Sequence, residues 1–371
     1  MRAKNLLIAA FFSLPLSASA QTAYNFSDLQ SLGADGIAAA APEVQLPAER
    51  RWGVNYSLTG AVSVDEGQAW LNTADGRLFR LDLSERDAAR YDGKSVKLRA
   101  EARQSDELDL LKVRSIEEYT PADGEVVPPP YQPRRRQAVM IDDREGRLVM
   151  GNVRTLAGKA PSAAEFDWTT MTLKPELIKN IYFVKKPFAP ELVAAHSFLV
   201  FTFEPGGLRD AAGSEPAGLT LSIEGRTRVG QNFSPVTGLM NKFGIIWTLS
   251  TWEDYAARTV LMEKGHLVPY PVLMSQAEKA AVLREAMRLA AVDREGEFYN
   301  TVKNNCTNNL LIIFNRVLPK ERQIKMWTIP YMVYNMKATM PLMVIKNLQK
   351  RGLLGGEFMD VNGSTLYSPL P

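Results

Sequence analysis

Cys306 is the only cysteine in the chain. It lies in Tyr299-Asn-Thr-Val-Lys-Asn-Asn-Cys306-Thr-Asn-Asn-Leu310, a polar cluster that runs into the apolar stretch Leu310-Leu-Ile-Ile-Phe314. The polar residues predict a loop and a helix N-cap, and the apolar ones a buried helix. A thiol at such a helix start faces the positive end of the dipole, which favours the thiolate and hence a nucleophile. Thiol catalysis also needs an imidazole to exchange the proton and a group to fix the imidazole. Only His196 and His266 can supply the first. His196 falls within Val193-Ala-Ala-His196-Ser-Phe-Leu199, a buried strand whose small neighbours leave room beside the ring, and is the preferred base. His266, in Glu263-Lys-Gly-His266-Leu267, is the second candidate and reads as an exposed loop histidine.

For the third group, Glu204 has the same side-chain parity as His196, but eight residues along a strand span about 27 Å. Glu224 is the better choice. It ends the alternating strand Leu219-Thr-Leu-Ser-Ile-Glu224 on its polar face, and it reaches His196 if the two strands pair. Asp254 and Arg258 have the i,i+4 spacing of a helical ion pair. Together with Asn305, Tyr299 and Arg226 they are assigned to oxyanion stabilisation or substrate positioning. Asn304 and Asn305 are also helix caps, and the Cys306 backbone N–H is a candidate oxyanion donor. One cysteine and two histidines without ligand spacing fall short of a zinc signature, and no glycine-rich phosphate loop appears, so no metal or cofactor is expected.

The elements that must position these residues follow a leader. Arg2, Lys4, the apolar residues 6–16 and Ala18-Ser-Ala20 form a Sec-type signal with cleavage expected after Ala20, which predicts a periplasmic protein. No cysteine adjoins that site, so no lipid-modified N-terminus is expected. The chain carries 44 basic and 41 acidic side chains, and Arg2 and Lys4 leave with the leader. That near-neutral balance does not suggest nucleic acid. The apolar run at residues 326–336 is shorter than the roughly 20 residues a spanning helix needs. A length of 371 residues favours two domains.

Residues 21–50 read as a disordered lead-in. Residues 51–122 hold five short alternating segments, with turns at Asp75-Gly76 and Asp92-Gly93, and predict a small all-β, OB-like barrel. Residues 123–137, with Pro128-Pro-Pro130 and Arg134-Arg-Arg136, read as a semi-rigid linker with a solvated charge run. Residues 138–371 predict an α+β domain. Its strands lie at 178–184, 192–203, 219–224 and 244–250, and Ser275-Gln-Ala-Glu278 is a capping box opening a helix that runs to about residue 292. Residues 326–336 and 340–345, rich in methionine and aromatics, read either as a groove for acyl chains or as helical core with proline breaks.

His196-Ser-Phe-Leu, Leu221-Ser-Ile-Glu-Gly-Arg226, Thr251-Trp-Glu-Asp-Tyr-Ala-Ala-Arg258 and Tyr299-Asn-Thr through Asn304-Asn-Cys306-Thr resemble the Lnb-type N-terminal periplasmic domain family. The histidine strand preceding the Asn-Cys helix is similar to the circularly permuted branch of the NlpC/P60 papain-like superfamily. The resemblance spans about residues 175–317. It implies a permuted papain-like domain with Cys306 as nucleophile and His196 as base, and it suggests acyl transfer through a thioester on a lipid or lipoprotein substrate. A cell-wall peptidase or amidase acting on peptidoglycan-derived peptides uses the same residues. The remaining alternative is a non-catalytic envelope scaffold. Peripheral membrane contact belongs to the lipid reading.

Overall fold

The computed structural model describes residues 54–65, 67–73, 77–102, 110–120, 131–144, 146–156, 159–162, 165–188, 194–324, 341–368 and 370. The leader, the lead-in, Pro128-Pro-Pro130 and residues 326–336 lie outside the described residues. All those described belong to one unit, Glu43–Pro371.

Five strands near the start close into a barrel in the order β1-β2-β3-β5-β4: β1 (Asn55–Asp65), β2 (Gln68–Thr73), β3 (Leu78–Asp82), β4 (Ser95–Ala102) and β5 (Leu110–Glu118). They fall where the two-residue alternation placed them. Tyr56, Leu58, Val62, Leu71, Phe79, Leu81, Val96, Leu98 and Leu111 fill the interior. A helix absent from the sequence reading, α1 (Glu85–Tyr91), precedes β4 and is capped by Ser84, whose Oγ accepts the Asp87 N–H at 3.1 Å.

The larger part is mixed α+β and mostly strand. Its sheet comprises β6 (Val139–Arg144), β7 (Arg147–Thr155), β8 (Asp167–Leu173), β9 (Ile178–Phe188), β10 (Ala194–Phe203), β11 (Leu208–Asp210), β12 (Leu219–Arg226), β13 (Phe243–Thr251), β14 (Val268–Pro271) and β15 (Phe298–Tyr299). The order is β11-β8-β7-β13-β12-β10-β9-β14, with β6 on β7 and β15 on β13. Within this sheet only β7 with β13 is parallel among the pairs described; in the barrel β3 and β5 are parallel too. The helices are α2 (Pro235–Gly238), α3 (Trp252–Ala257), which continues as a π turn (Arg258–Met262), α4 (Gln276–Ala291), α5 (Cys306–Val317) and α6 (Pro341–Lys350). Both reciprocal hydrogen bonds of the Ser275/Glu278 capping box form at the start of α4.

Both faces of the central strands are covered. Leu199, Phe201, Leu221 and Ile223 pack with Leu283, Leu310, Ile313 and Phe314 of α4 and α5, and Ile345 and Leu348 of α6 join that core. On the other face Phe198 and Val200 lie beneath Trp252, Tyr255 and Val260 and the C-terminal Val361 and Leu366. Thr220 and Ser222, the polar side of the β12 alternation, are therefore fully buried. No described helix is long and apolar enough to cross a membrane.

The barrel meets the segment leading into β15. Tyr56 bridges Glu297, and the Ser57 N–H donates to the Gly296 carbonyl at 2.9 Å. Gly296 has φ +80°, and a Cβ there would stand 2.6 Å from the Ser57 carbonyl oxygen, so both backbone conformation and space call for glycine. Residues 131–137, read as part of a linker, lie against the sheet. The Gln132 N–H donates to Thr227 O at 3.0 Å, and Tyr131 bridges Arg228. The solvated charge run is corrected at two of its three members. The Arg135 side chain is 14% exposed and pairs with Glu224, and Arg136 lies 4.7 Å over the Trp168 ring. The half-buried Glu224 carboxylate draws in Arg135, and the Trp168 ring face receives Arg136.

Candidate active site

β10 and β12 share a register from Phe201↔Leu219 to Phe198↔Ser222 that goes no further. Beyond it β10 continues on β9 to Ala194, while β12 continues on β13 to Arg226. The two strands part at this point, and His196 stands in the fork, with Cys306 hydrogen-bonded to its side chain and to the backbone of Ser197. Ser197 also accepts from Thr307 Oγ1 at 3.5 Å, which ties the first turn of α5 to β10.

Cys306 is the first residue of α5, and asparagines hold it there. Asn305 is the N-cap: its Oδ1 accepts the Asn308 N–H at 2.9 Å, and its Nδ2 donates to Thr301 O at 2.7 Å. Asn304 donates to the buried Glu297 at 2.8 Å and to Phe298 O at 2.9 Å, and accepts from Asn309 at 2.9 Å. Asn300 Oδ1 accepts the N–H groups of Val302 and Lys303 at 3.1 and 3.0 Å. Each amide satisfies backbone groups that a loop buried at a helix start would otherwise leave unpaired. Asn305 is thus occupied as a cap and not turned toward the thiol.

The Cys306 side chain is buried. Burial alone would raise its pKa, but the charge and hydrogen bond of His196, the Ser197 N–H and Thr307 outweigh it and bring the thiol below its ordinary value. Tyr299 is hydrogen-bonded to the same sulfur. Burial first, and then the thiolate beside it, push the phenol well above its usual pKa, so it stays protonated and donates to the sulfur. Phe233 packs edge-on against the Tyr299 ring at 5.6 Å and fixes its plane.

The group bonded to the imidazole is Ser222. His196 Nε2 lies 2.8 Å from Ser222 Oγ, which in turn donates to Glu224 Oε1 at 2.9 Å. Glu224 therefore acts at one remove, a correction to its reading as the direct orienting residue. Extending the register would set His196 opposite Glu224, but the strands have parted by then, and the ring meets the serine on the last paired rung. Burial opposes the Glu224 charge, yet Arg135 and His196 hold its carboxyl well below the usual carboxylate range. Arg135 also donates to Thr227 Oγ1 at 3.0 Å. Tyr255 closes the site from α3, bonded to Ser222 and packed on Phe198 at 4.3 Å between ring centroids.

The other candidates serve elsewhere. Arg226 pairs with Glu295 at 2.7 Å and stacks on Tyr131 at 3.6 Å. Asp254 is fully buried between two arginines, accepting from Arg154 Nε at 2.6 Å and Arg258 Nε at 2.7 Å. It thus fastens β7 to α3. His266 stands in the loop before β14, and the imidazole at the thiol is that of His196. Ser222, Ser197, Thr307, Arg135 and Arg154 were missed in the sequence. Ser222 had a signal, its shared strand face with Glu224. The arginines had none, because their partners are 89 and 100 residues away.

Residues 59–119, most of the barrel, match a family described as protein of unknown function (DUF5818). No curated protein and no solved structure matches the chain. A second match runs over residues 164–350, enclosing Cys306, His196, Ser222 and Glu224 but starting after Arg135 and Arg154. It covers just over half of the chain, and the protein belongs to the Lnb N-terminal periplasmic domain family.

Proposed function

We propose that the protein is a cysteine-dependent acyltransferase or hydrolase that carries an acyl group as a thioester on Cys306. The observation that supports this is the buried Cys306 thiol, hydrogen-bonded to His196 at the first turn of α5 and lowered in pKa by that contact. Membership of a periplasmic domain family fits a periplasmic location in the cell envelope. A histidine strand that precedes the cysteine helix supports the permuted papain-like reading of the larger part, and the five-stranded closed barrel supports the OB-like reading of the smaller.

In this mechanism His196 takes the Cys306 proton, and the thiolate attacks the acyl carbonyl. The C–S bond forms, the bond to the leaving alcohol or amine breaks, and the imidazolium returns the proton to that leaving group. An acceptor amine, alcohol or water then gives its proton to His196 and attacks the thioester, which releases the thiolate. The Tyr299 hydroxyl, which itself accepts from the Cys306 backbone N–H, is the donor assigned to the developing oxyanion, and the Cys306 N–H serves there once that contact opens. Acyl lipids or lipoproteins at a membrane surface are the leading substrates, and peptidoglycan-derived peptides the second class.

The test incubates wild type and Cys306→Ala with phospholipid vesicles or with muropeptides, quenches in acid and measures intact mass. A hydroxylamine-sensitive adduct on wild type alone supports the thioester, and its mass names the donor class. Wild type that gains no adduct from either donor overturns the proposal.

A further inference from the structure

The fourth and fifth members of the site, Ser222 and Arg135, carry an assignment that rests on the thiol reading above but is measured without turnover. We propose that Ser222, anchored through Glu224 by Arg135 from outside the family-matched segment, is the positioning residue that fixes His196 as the Nε2–H tautomer with Nδ1 facing Cys306.

The argument is one of donors and acceptors. A serine hydroxyl has one proton and two lone pairs. Ser222 gives that proton to Glu224 Oε1 at 2.9 Å, because a carboxylate paired with Arg135 has none to offer in return. The serine oxygen is then only an acceptor toward its other neighbours, the Tyr255 hydroxyl and His196 Nε2 at 2.8 Å. Nε2 must therefore carry a proton. The hydrogen bond between Cys306 and the His196 side chain is left to Nδ1, which in neutral imidazole is the unprotonated nitrogen and so the base. When the Cys306 proton moves to Nδ1, the Nε2–H bond to Ser222 is retained and strengthened by the new charge. Nothing along Arg135, Glu224 and Ser222 changes its protonation.

The arrangement needs Arg135. It is the largest of the cationic influences on the half-buried Glu224; removing it shifts the carboxyl toward its protonated form, and a protonated Glu224 can donate to Ser222 and reverse the direction of the bond. Two other cations stand near: Arg134 adds to the field at Glu224, and Lys186, opposite His196 on β9, pairs with Glu263 and lies 5.5 Å from the Tyr255 ring. The matched segment begins at residue 164, so the site takes its anchoring cation from residues that precede the match.

The test uses the full chain bearing His266→Gln, so that one imidazole remains. Nitrogen-detected long-range proton spectra report the tautomer directly, and iodoacetamide labelling of Cys306 against pH reports the thiolate. We expect an Nε2–H signature in the parent. In Ser222→Ala we expect loss of that preference and labelling near pH 6 reduced at least about tenfold, one pKa unit of thiolate. Ser222→Thr, which keeps the hydroxyl, should restore labelling. Arg135→Met should lower it, with Arg135→Lys intermediate. An Nδ1–H signature in the parent, or labelling in Ser222→Ala that follows the parent curve, overturns the assignment. Neither readout needs an acyl donor, so failure of the thioester experiment leaves this result standing, and the reverse holds too.

Discussion

Gly296 offers a stringent test of how the barrel is joined to the loop carrying the nucleophile. Replacement by alanine asks for a left-handed backbone with a side chain, which costs about 1–2 kcal/mol. The added Cβ would also stand 2.6 Å from the Ser57 carbonyl oxygen and 2.7 Å from Leu58 Cδ2. The carbonyl cannot swing away alone, because the Ser57 N–H of the same strand is bonded to Gly296. Overpacking of this kind costs about 1–3 kcal/mol, and loss of the hydrogen bond about 1 kcal/mol more. The expected total is about 3–6 kcal/mol. Gly352 is the control: its φ is +66°, yet nothing lies within 4 Å of a built Cβ, so Gly352→Ala should cost only the backbone term. Urea unfolding followed by circular dichroism and tryptophan fluorescence compares the two, with Trp70 reporting on the barrel and Trp247 and Trp252 on the sheet. Because Gly296 is three residues before Tyr299, its variant should also slow labelling of Cys306, and the Gly352 variant should not. Equal destabilisation by both substitutions would refute the packing argument.

Three further outcomes follow from the site. His196 and the hydrogen bonds around it hold the folded Cys306 thiol below its ordinary pKa, so native labelling should persist to lower pH than that of urea-unfolded protein, which follows the ordinary thiol curve; coincident curves would remove the activated thiol. The Glu224 carboxyl is likewise depressed, so its pairing contributes in full above the unfolded value of about 4.3 and is lost as pH falls through the lower folded value. Glu224→Gln should accordingly flatten the loss of the urea midpoint below pH 4.3, and an unchanged slope would count against the pair. Arg154→Met should cost about 3–5 kcal/mol by leaving buried Asp254 with one partner. Arg154→Met combined with Asp254→Asn should then cost less than the two changes added, and strict additivity in denaturation would sink that reading.

Much of the barrel was legible because its strands are short, alternate cleanly and end in turn residues. Helix α1 was passed over although Ser84 and Asp87 carry a cap signal, since seven residues between strands give little periodicity. The nucleophile and its histidine could be nominated because each residue type is so scarce. Ser222 was placed on the polar side of its strand and given no role: alternation marks two faces, but only the packing of Trp252 and Tyr255 over the second face shows that both are interior. Arg135 at Glu224 and Arg154 at Asp254 come from chain segments far away, and local spacing carries no trace of them, whereas the Asp254–Arg258 pair was legible from its i,i+4 spacing. β6, β7 and β8 escaped for a related reason, because their half-buried patterns mix charged and apolar residues without a clean period.

The carboxylates of Glu224 and Asp254 have a bearing on where this fold can be cut. A fragment trimmed to residues 164–350 would keep Glu224 and Asp254 and discard Arg135 and Arg154, and with β7 it would strip β13 of its parallel neighbour. Such a piece holds the nucleophile and its base yet is electrically unfinished. The edge of the family match and the reach of the ion pairs that complete the site are different places in the chain.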